Sequence, residues 1–276
     1  MKKLSTILLS LLLVSFSASS QDKIDHLILP VFDNTSEREL LFNHQNNPFL
    51  LLQSLYPNEK LSLTNWNQVV SDLDKIPTRK RKSLRILSDV FFLAQQHLLK
   101  EYQKNANFSK TIDQGIYDCV TGTAVYALLL NRFDIPYQII ETEEHVFIQG
   151  MFKKTPFIIE STFAVEGLIL GEQETMGFLN SFIIHSSKSA NLKPVEVGSF
   201  FSKNESNTLF EKIGLRELAG LQYYNDAVKK FDEQKYKAAY VQLLKAEYLY
   251  PSERIIDFKG KMEMLLGVVS RTDNNY

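Results

Sequence analysis

The stretch from Cys119 to Arg132 is apolar nearly all round, with Val120, Ala124, Val125, Ala127, Leu128, Leu129 and Leu130 distributed over every face. A helix of this kind belongs at the centre of a domain and not on its surface. Whatever the chain folds into is therefore built around it. Asp134-Ile135-Pro136 stops the helix, because the residue before a proline is pushed out of the helical region. Three short strand candidates follow, over 137–140, 145–149 and 156–160. Each is rich in β-branched or aromatic residues and bounded by polar breaks, and residues 150–155 suit a hairpin turn. A buried helix followed by an antiparallel meander gives an α+β arrangement.

The same helix opens on Cys119, the only cysteine among 276 residues. A lone thiol forms no intramolecular disulfide, so a framework role is excluded. A helix N-terminus carries unsatisfied N–H groups and a positive partial charge, which favour thiolate over thiol. Asp118 before it reads as the cap of the helix. His145 follows 26 residues later and Glu160 a further 15. The second strand carries His145 and the third carries Glu160, so both can face the helix N-terminus together. The three residue types suit a nucleophile (Cys119), a general base (His145) and an orienting carboxylate (Glu160). Each also has a plainer reading: a small buried hydrophobe, a strand histidine tied to local backbone, an exposed strand-end charge. Gln114, five residues before Cys119, is a candidate donor to an oxyanion beside the Cys119 N–H, or else an ordinary polar loop residue. Glu143 and Glu144 flank His145, and negative neighbours raise a histidine pKa.

Four segments here resemble the transglutaminase-like superfamily. They are Asp118-Cys119 through Leu130, Phe133-Asp134-Ile135-Pro136, His145-Val146-Phe147-Ile148, and Ile159-Glu160-Ser161-Thr162. The family pattern is a cysteine opening an apolar helix, a G-I-P turn, a histidine strand, and a strand ending in D-P-T. The match covers roughly residues 80–165. Glu160 stands where the family usually has aspartate, and Asp134 stands where it has glycine. The resemblance implies a papain-like core and a cysteine hydrolase or acyl-transferase that works through an acyl-enzyme on a protein or peptide substrate. The family also contains members without activity, so a non-catalytic binding module of the same fold is the alternative reading.

No cofactor or metal is expected. His26, His44, His97 and His185 show no metal-ligand spacing, and the chain has no Gly-rich phosphate loop and no G-x-S-x-G elbow. Residues 1–20 read as a signal peptide: Met1-Lys2-Lys3, an apolar run to Phe16, then small residues. The protein is accordingly expected to be exported, periplasmic or secreted, with no membrane span in the mature chain. Loss of Lys2 and Lys3 takes the formal charge from −1 to −3, so nothing calls for nucleic acid. Sequons stand at Asn34, Asn107 and Asn204.

Residues 21–204 are read as the transglutaminase-like domain. Ser36 is expected to cap a short helix, another helix follows over 63–73, and the longest helical pattern runs over 78–104, opened by the basic run Arg79-Lys80-Arg81-Lys82. Residues 205–276 are read as a helical extension. From Tyr223 to Pro251 it resembles a tetratricopeptide-like hairpin, with Tyr236, Ala239, Leu243 and Ala246 in the repeat's second helix and Gln234 between the two. One repeat is too few to stand alone, so the hairpin is expected to dock on the catalytic domain, with some of Tyr223, Tyr224, Tyr248 and Tyr250 packing there or offering a protein-partner surface.

Overall fold

Asparagine side chains cap the first two helices in this computed structural model, which describes residues 31–32, 34–142, 145–186 and 210–267. The expected signal peptide, Glu143, Glu144 and Asn204 lie outside those residues. Asn34 caps α1 (Thr35–Asn43), accepting from the Ser36 N–H at 2.7 Å; the cap is Asn34 and not Ser36. Asn47 caps the short α2 (Pro48–Leu51), and α3 (Thr64–Asp74) buries Val69 and Leu73.

The pattern over 78–104 is not one helix. It divides into α4 (Thr78–Arg81) and α5 (Arg85–His97). Arg81 turns back and donates to the carbonyls of Asp74 and Ile76. The basic run therefore sits at the end of a separate short helix, where cations are favoured, and does not open the long one. Leu87, Phe91 and Ala94 of α5 are fully buried, as the spacing requires. The helix ends early because the N–H groups of Leu98 and Leu99 both go to the Ala94 carbonyl. The chain then departs as β1 (Glu101–Tyr102). After α6 (Phe108–Gln114) comes β2 (Ile116–Tyr117), which pairs with β1 in parallel, Tyr102 beside Tyr117.

Next come α7 (Cys119–Arg132), β3 (Tyr137–Glu141), β4 (Val146–Phe152), β5 (Thr155–Ile159), β6 (Leu168–Leu170), α8 (Glu172–Ser186) and β7 (Glu211–Ile213). The five longer-range strands form one antiparallel sheet in the order β6-β5-β4-β3-β7. The turn expected over 150–155 is only Lys153-Lys154, both at positive φ (49° and 68°). Such a two-residue turn matches strand twist, so β4 runs on through Gly150, Met151 and Phe152. Ile139, Val146, Ile148, Phe157 and Ile159 share the main core with α7, whereas Ile140, Phe147 and Ile158 pack with Leu179, Phe178 and Phe182 of α8. Alternation along each strand gives the sheet these two buried faces.

The C-terminal region is helical: α9 (Leu215–Asp232), α10 (Tyr236–Leu249) and α11 (Glu253–Leu266). Gln234 turns between α9 and α10 at φ 59°, and Ala239, Leu243 and Ala246 are fully buried. The region is fastened to the rest at several points. β7 is an edge strand on β3, and Leu218, Ala219, Leu221 and Tyr223 enter the same core as α7. The buried Tyr223 hydroxyl donates to Glu37 at 3.0 Å, and Lys245 pairs with the same carboxylate at 2.7 Å. The Tyr250 hydroxyl donates to Glu141, the last residue of β3, at 2.6 Å. The Gln45 amide donates to the Tyr248 hydroxyl at 2.5 Å. The fold is thus mixed α+β, with an antiparallel sheet and a helical C-terminal region bound to it. No helix among the described residues is long and apolar enough to cross a membrane.

Candidate active site

One stripe of α7 holds the site. Cys119, Gly122, Thr123 and Tyr126 follow the i, i+3, i+4, i+7 spacing that aligns side chains on one helix face. The Thr123 hydroxyl donates to the Val146 carbonyl at 3.2 Å, which ties the first turn of α7 to the residue after His145. At Gly122 the helix lies against Ser161: a Cβ there would fall 2.6 Å from the Ser161 Cβ. Tyr126 meets the same segment through Gln95, whose amide donates to the Tyr126 hydroxyl at 3.1 Å and to the Ser161 carbonyl at 3.2 Å. The helix that the sequence makes central therefore grips both strand ends, and it does so within one turn of its cysteine.

Asp118 opens α7 with a capping box. Its carboxylate accepts from the Thr121 N–H at 2.8 Å, and the Thr121 hydroxyl accepts from the Asp118 N–H at 3.0 Å. The side chain is buried, and burial pushes its pKa up to about 6 against the pull of the Thr121 bonds. Cys119 follows at the first helical position, partly exposed.

The structure brings Cys119, His145 and Glu160 together. His145 Nε2 hydrogen-bonds the Glu160 carboxylate, and Cys119 lies near enough to the ring to favour its charged form. Burial works against a charged ring, but the bonds to Cys119 and Glu160 outweigh it and lift His145 to about 10. The imidazole is accordingly protonated at neutral pH. Phe182 of α8 lies nearly parallel to the imidazole, 6.4 Å between ring centres at 16°.

Glu160 is 1% exposed, and its second oxygen is also engaged: the Thr162 N–H and hydroxyl both donate to Oε1 at 2.8 Å. A buried carboxylate held on both oxygens cannot swing away from the imidazole without leaving donors unpaired. The loop after it closes tightly, with the Glu160 N–H donating to the Gly167 carbonyl at 2.8 Å. A Cβ at Gly167 would stand 2.1 Å from the Glu160 carbonyl oxygen, so only glycine permits this approach.

His145 and Glu160 sit just outside the strands expected to carry them, one residue before β4 and one after β5. Gln114 is exposed at the end of α6 and makes no hydrogen bond among the described residues. Thr162 is read in the sequence only as part of the Ile159–Thr162 segment, without a role, and Gly167 is not singled out there. Thr162 and Gly167 lie close enough to Glu160 for an Asx-like turn to have been suspected. Among the described residues no group of three His, Cys, Asp or Glu side chains is arranged to hold a metal ion. No family model, curated protein or solved structure matches the chain.

Proposed function

We propose that the chain is an exported cysteine hydrolase or acyl-transferase with a papain-like, transglutaminase-like core, acting on an amide bond of a protein or peptide. The observation that carries this reading is that Cys119 and the buried, Thr162-held Glu160 both favour the charged form of the His145 ring, which Glu160 hydrogen-bonds. In the reaction the Cys119 sulfur attacks the acyl carbon and the carbonyl pair moves onto oxygen. As the carbon–nitrogen bond breaks, the His145 imidazolium gives its proton to the departing amine. Water, or a second amine, then attacks the thioester with His145 as base, and Cys119 is released. Glu160 keeps the ring in the tautomer and orientation that both steps need. Hydrolysis is preferred over transfer because water is the default acceptor.

The test is a screen of thiol-reactive peptide and amide probes on the mature chain, with adducts located by mass spectrometry. We expect a single adduct on Cys119, absent in Cys119→Ala. Labelling by iodoacetamide should fall about tenfold or more in His145→Ala, since the positive ring that favours the attacking thiolate is then lost. Labelling unaffected by His145→Ala would leave a structural cysteine as the better account. One observation favours the binding-module reading: α11 exposes Ile256, Met264 and Leu265. A partner captured equally by wild type and Cys119→Ala, without turnover, would support that reading.

A further inference from the structure

Tyr102 is an exposed aromatic residue that the fold pins to the segment leading into the cysteine. β1 and β2 set it next to Tyr117, two residues before Cys119, and the two rings meet edge to face at 5.9 Å and 87°. Both of its flanks are pinned to the chain that leads into α7. The N–H groups of Lys100 and Glu101 donate to the Gly115 carbonyl at 2.9 and 3.1 Å, and the Gln103 N–H donates to the Tyr117 carbonyl at 2.8 Å. Yet Tyr102 remains 53% exposed, and no hydrogen bond occupies its hydroxyl among the described residues. Partial burial raises its pKa, and of the charged groups acting on it Cys119 weighs most, followed by Asp118 and Glu160. The hydroxyl is therefore protonated and unengaged, on a strand paired with the residues that lead into Cys119.

Resting on the reading of Cys119 as nucleophile, we propose that Tyr102 is a catalytic residue whose hydroxyl donates to the oxyanion formed at Cys119. When the sulfur bonds to the acyl carbon, the carbonyl electron pair moves to oxygen. That oxygen accepts from the Tyr102 O–H and from the Cys119 N–H, which at the first position of α7 has no helical carbonyl to bond. Collapse returns the pair to the carbonyl and expels the leaving group. Tyr102 keeps its proton throughout. This assigns to Tyr102 the part for which Gln114 was the sequence candidate.

Two reagents separate this role from a structural one. p-Nitrophenyl acetate acylates a thiol through a tetrahedral oxyanion, whereas iodoacetamide alkylates it at a saturated carbon and forms none. In Tyr102→Phe we expect acylation of Cys119 to slow about 10- to 100-fold, in the range found for loss of one oxyanion donor. Alkylation at the same pH should stay within about twofold of wild type, and the melting temperature should be unchanged, because the phenyl ring against Tyr117 is kept. Acylation at the wild-type rate would overturn the proposal. So would equal slowing of both reactions, which would mean that Tyr102 acts on the thiol itself, or a loss that appears in Gln114→Ala instead. If wild-type Cys119 is modified by neither reagent in preference to a denatured control, the nucleophile reading fails, and the Tyr102 proposal with it.

Discussion

At the scale of single residues, the site is a set of side chains whose charges depend on one another. His145 carries a proton at neutral pH only because Glu160 and Cys119 outweigh the cost of burying it. Its pKa is raised to about 10 from an unfolded value near 6.5. A raised folded pKa contributes stability that is whole below the unfolded value and lost as pH rises through the folded one. The contribution is therefore complete below about pH 6.5 and disappears toward pH 10. We expect wild type to lose on the order of 3 kcal/mol of this stabilisation between pH 7 and pH 10.5. Urea unfolding at the two pH values checks this, because His145→Gln should lose correspondingly less. In Glu160→Gln the His145 pKa, followed by the ring-proton NMR shift, should fall well below 10. An unmoved titration would mean that the carboxylate does not govern the ring.

At the scale of elements, the C-terminal helices reach the site through β3. Glu141 closes β3 and is buried; it accepts from the Tyr250 hydroxyl at 2.6 Å and pairs with Arg254. Burial raises its pKa, and these two donors oppose that rise. The next residue, Thr142, is tied to His145: the Thr142 N–H and hydroxyl donate to the His145 carbonyl at 2.7 and 3.1 Å. The His145 turn is thus anchored at its base by α10 and α11. Tyr250→Phe removes one donor from a buried carboxylate and should cost about 1–3 kcal/mol. A thermal melt gives the stability change, and iodoacetamide labelling of Cys119 shows whether the turn has shifted. A melt unchanged from wild type would show that Arg254 alone satisfies Glu141.

At the scale of the whole molecule, the region from 205 onward completes the sheet and the core. It supplies β7 to the free edge of β3, Tyr223 to the interior, and Lys245 to the buried carboxylate of Glu37. Removing one partner of a buried ion pair costs about 3–5 kcal/mol, because the other charge is left uncompensated. Deleting residues 205–276 removes that partner together with a strand and a large share of apolar contact. We expect the truncated mature chain to lose its cooperative thermal transition. A truncated chain that melts at the temperature of the full chain would instead make the helices an independent module and move weight toward partner binding.

The sequence by itself determined the parts whose cause is local. The apolar run after Cys119 specified a buried helix, Asp118 specified its cap, and β-branched and aromatic stretches between 137 and 160 specified three antiparallel strands. Those elements bring Cys119, His145 and Glu160 near one another at one end of α7, so much of the candidate site was legible in their order. The long helical pattern over 78–104 misled because helical spacing persists past Leu98, whereas the bonds of Lys100 and Glu101 to Gly115 pull the chain out of the helix. Only the tertiary structure placed Tyr102 beside Tyr117, since a two-residue strand carries no periodicity and its partner lies 15 residues on. Only the tertiary structure likewise set Tyr250 on Glu141 and Lys245 on Glu37. These contacts join residues more than 100 positions apart, and their energies depend on burial, which exists only once the chain has closed around them.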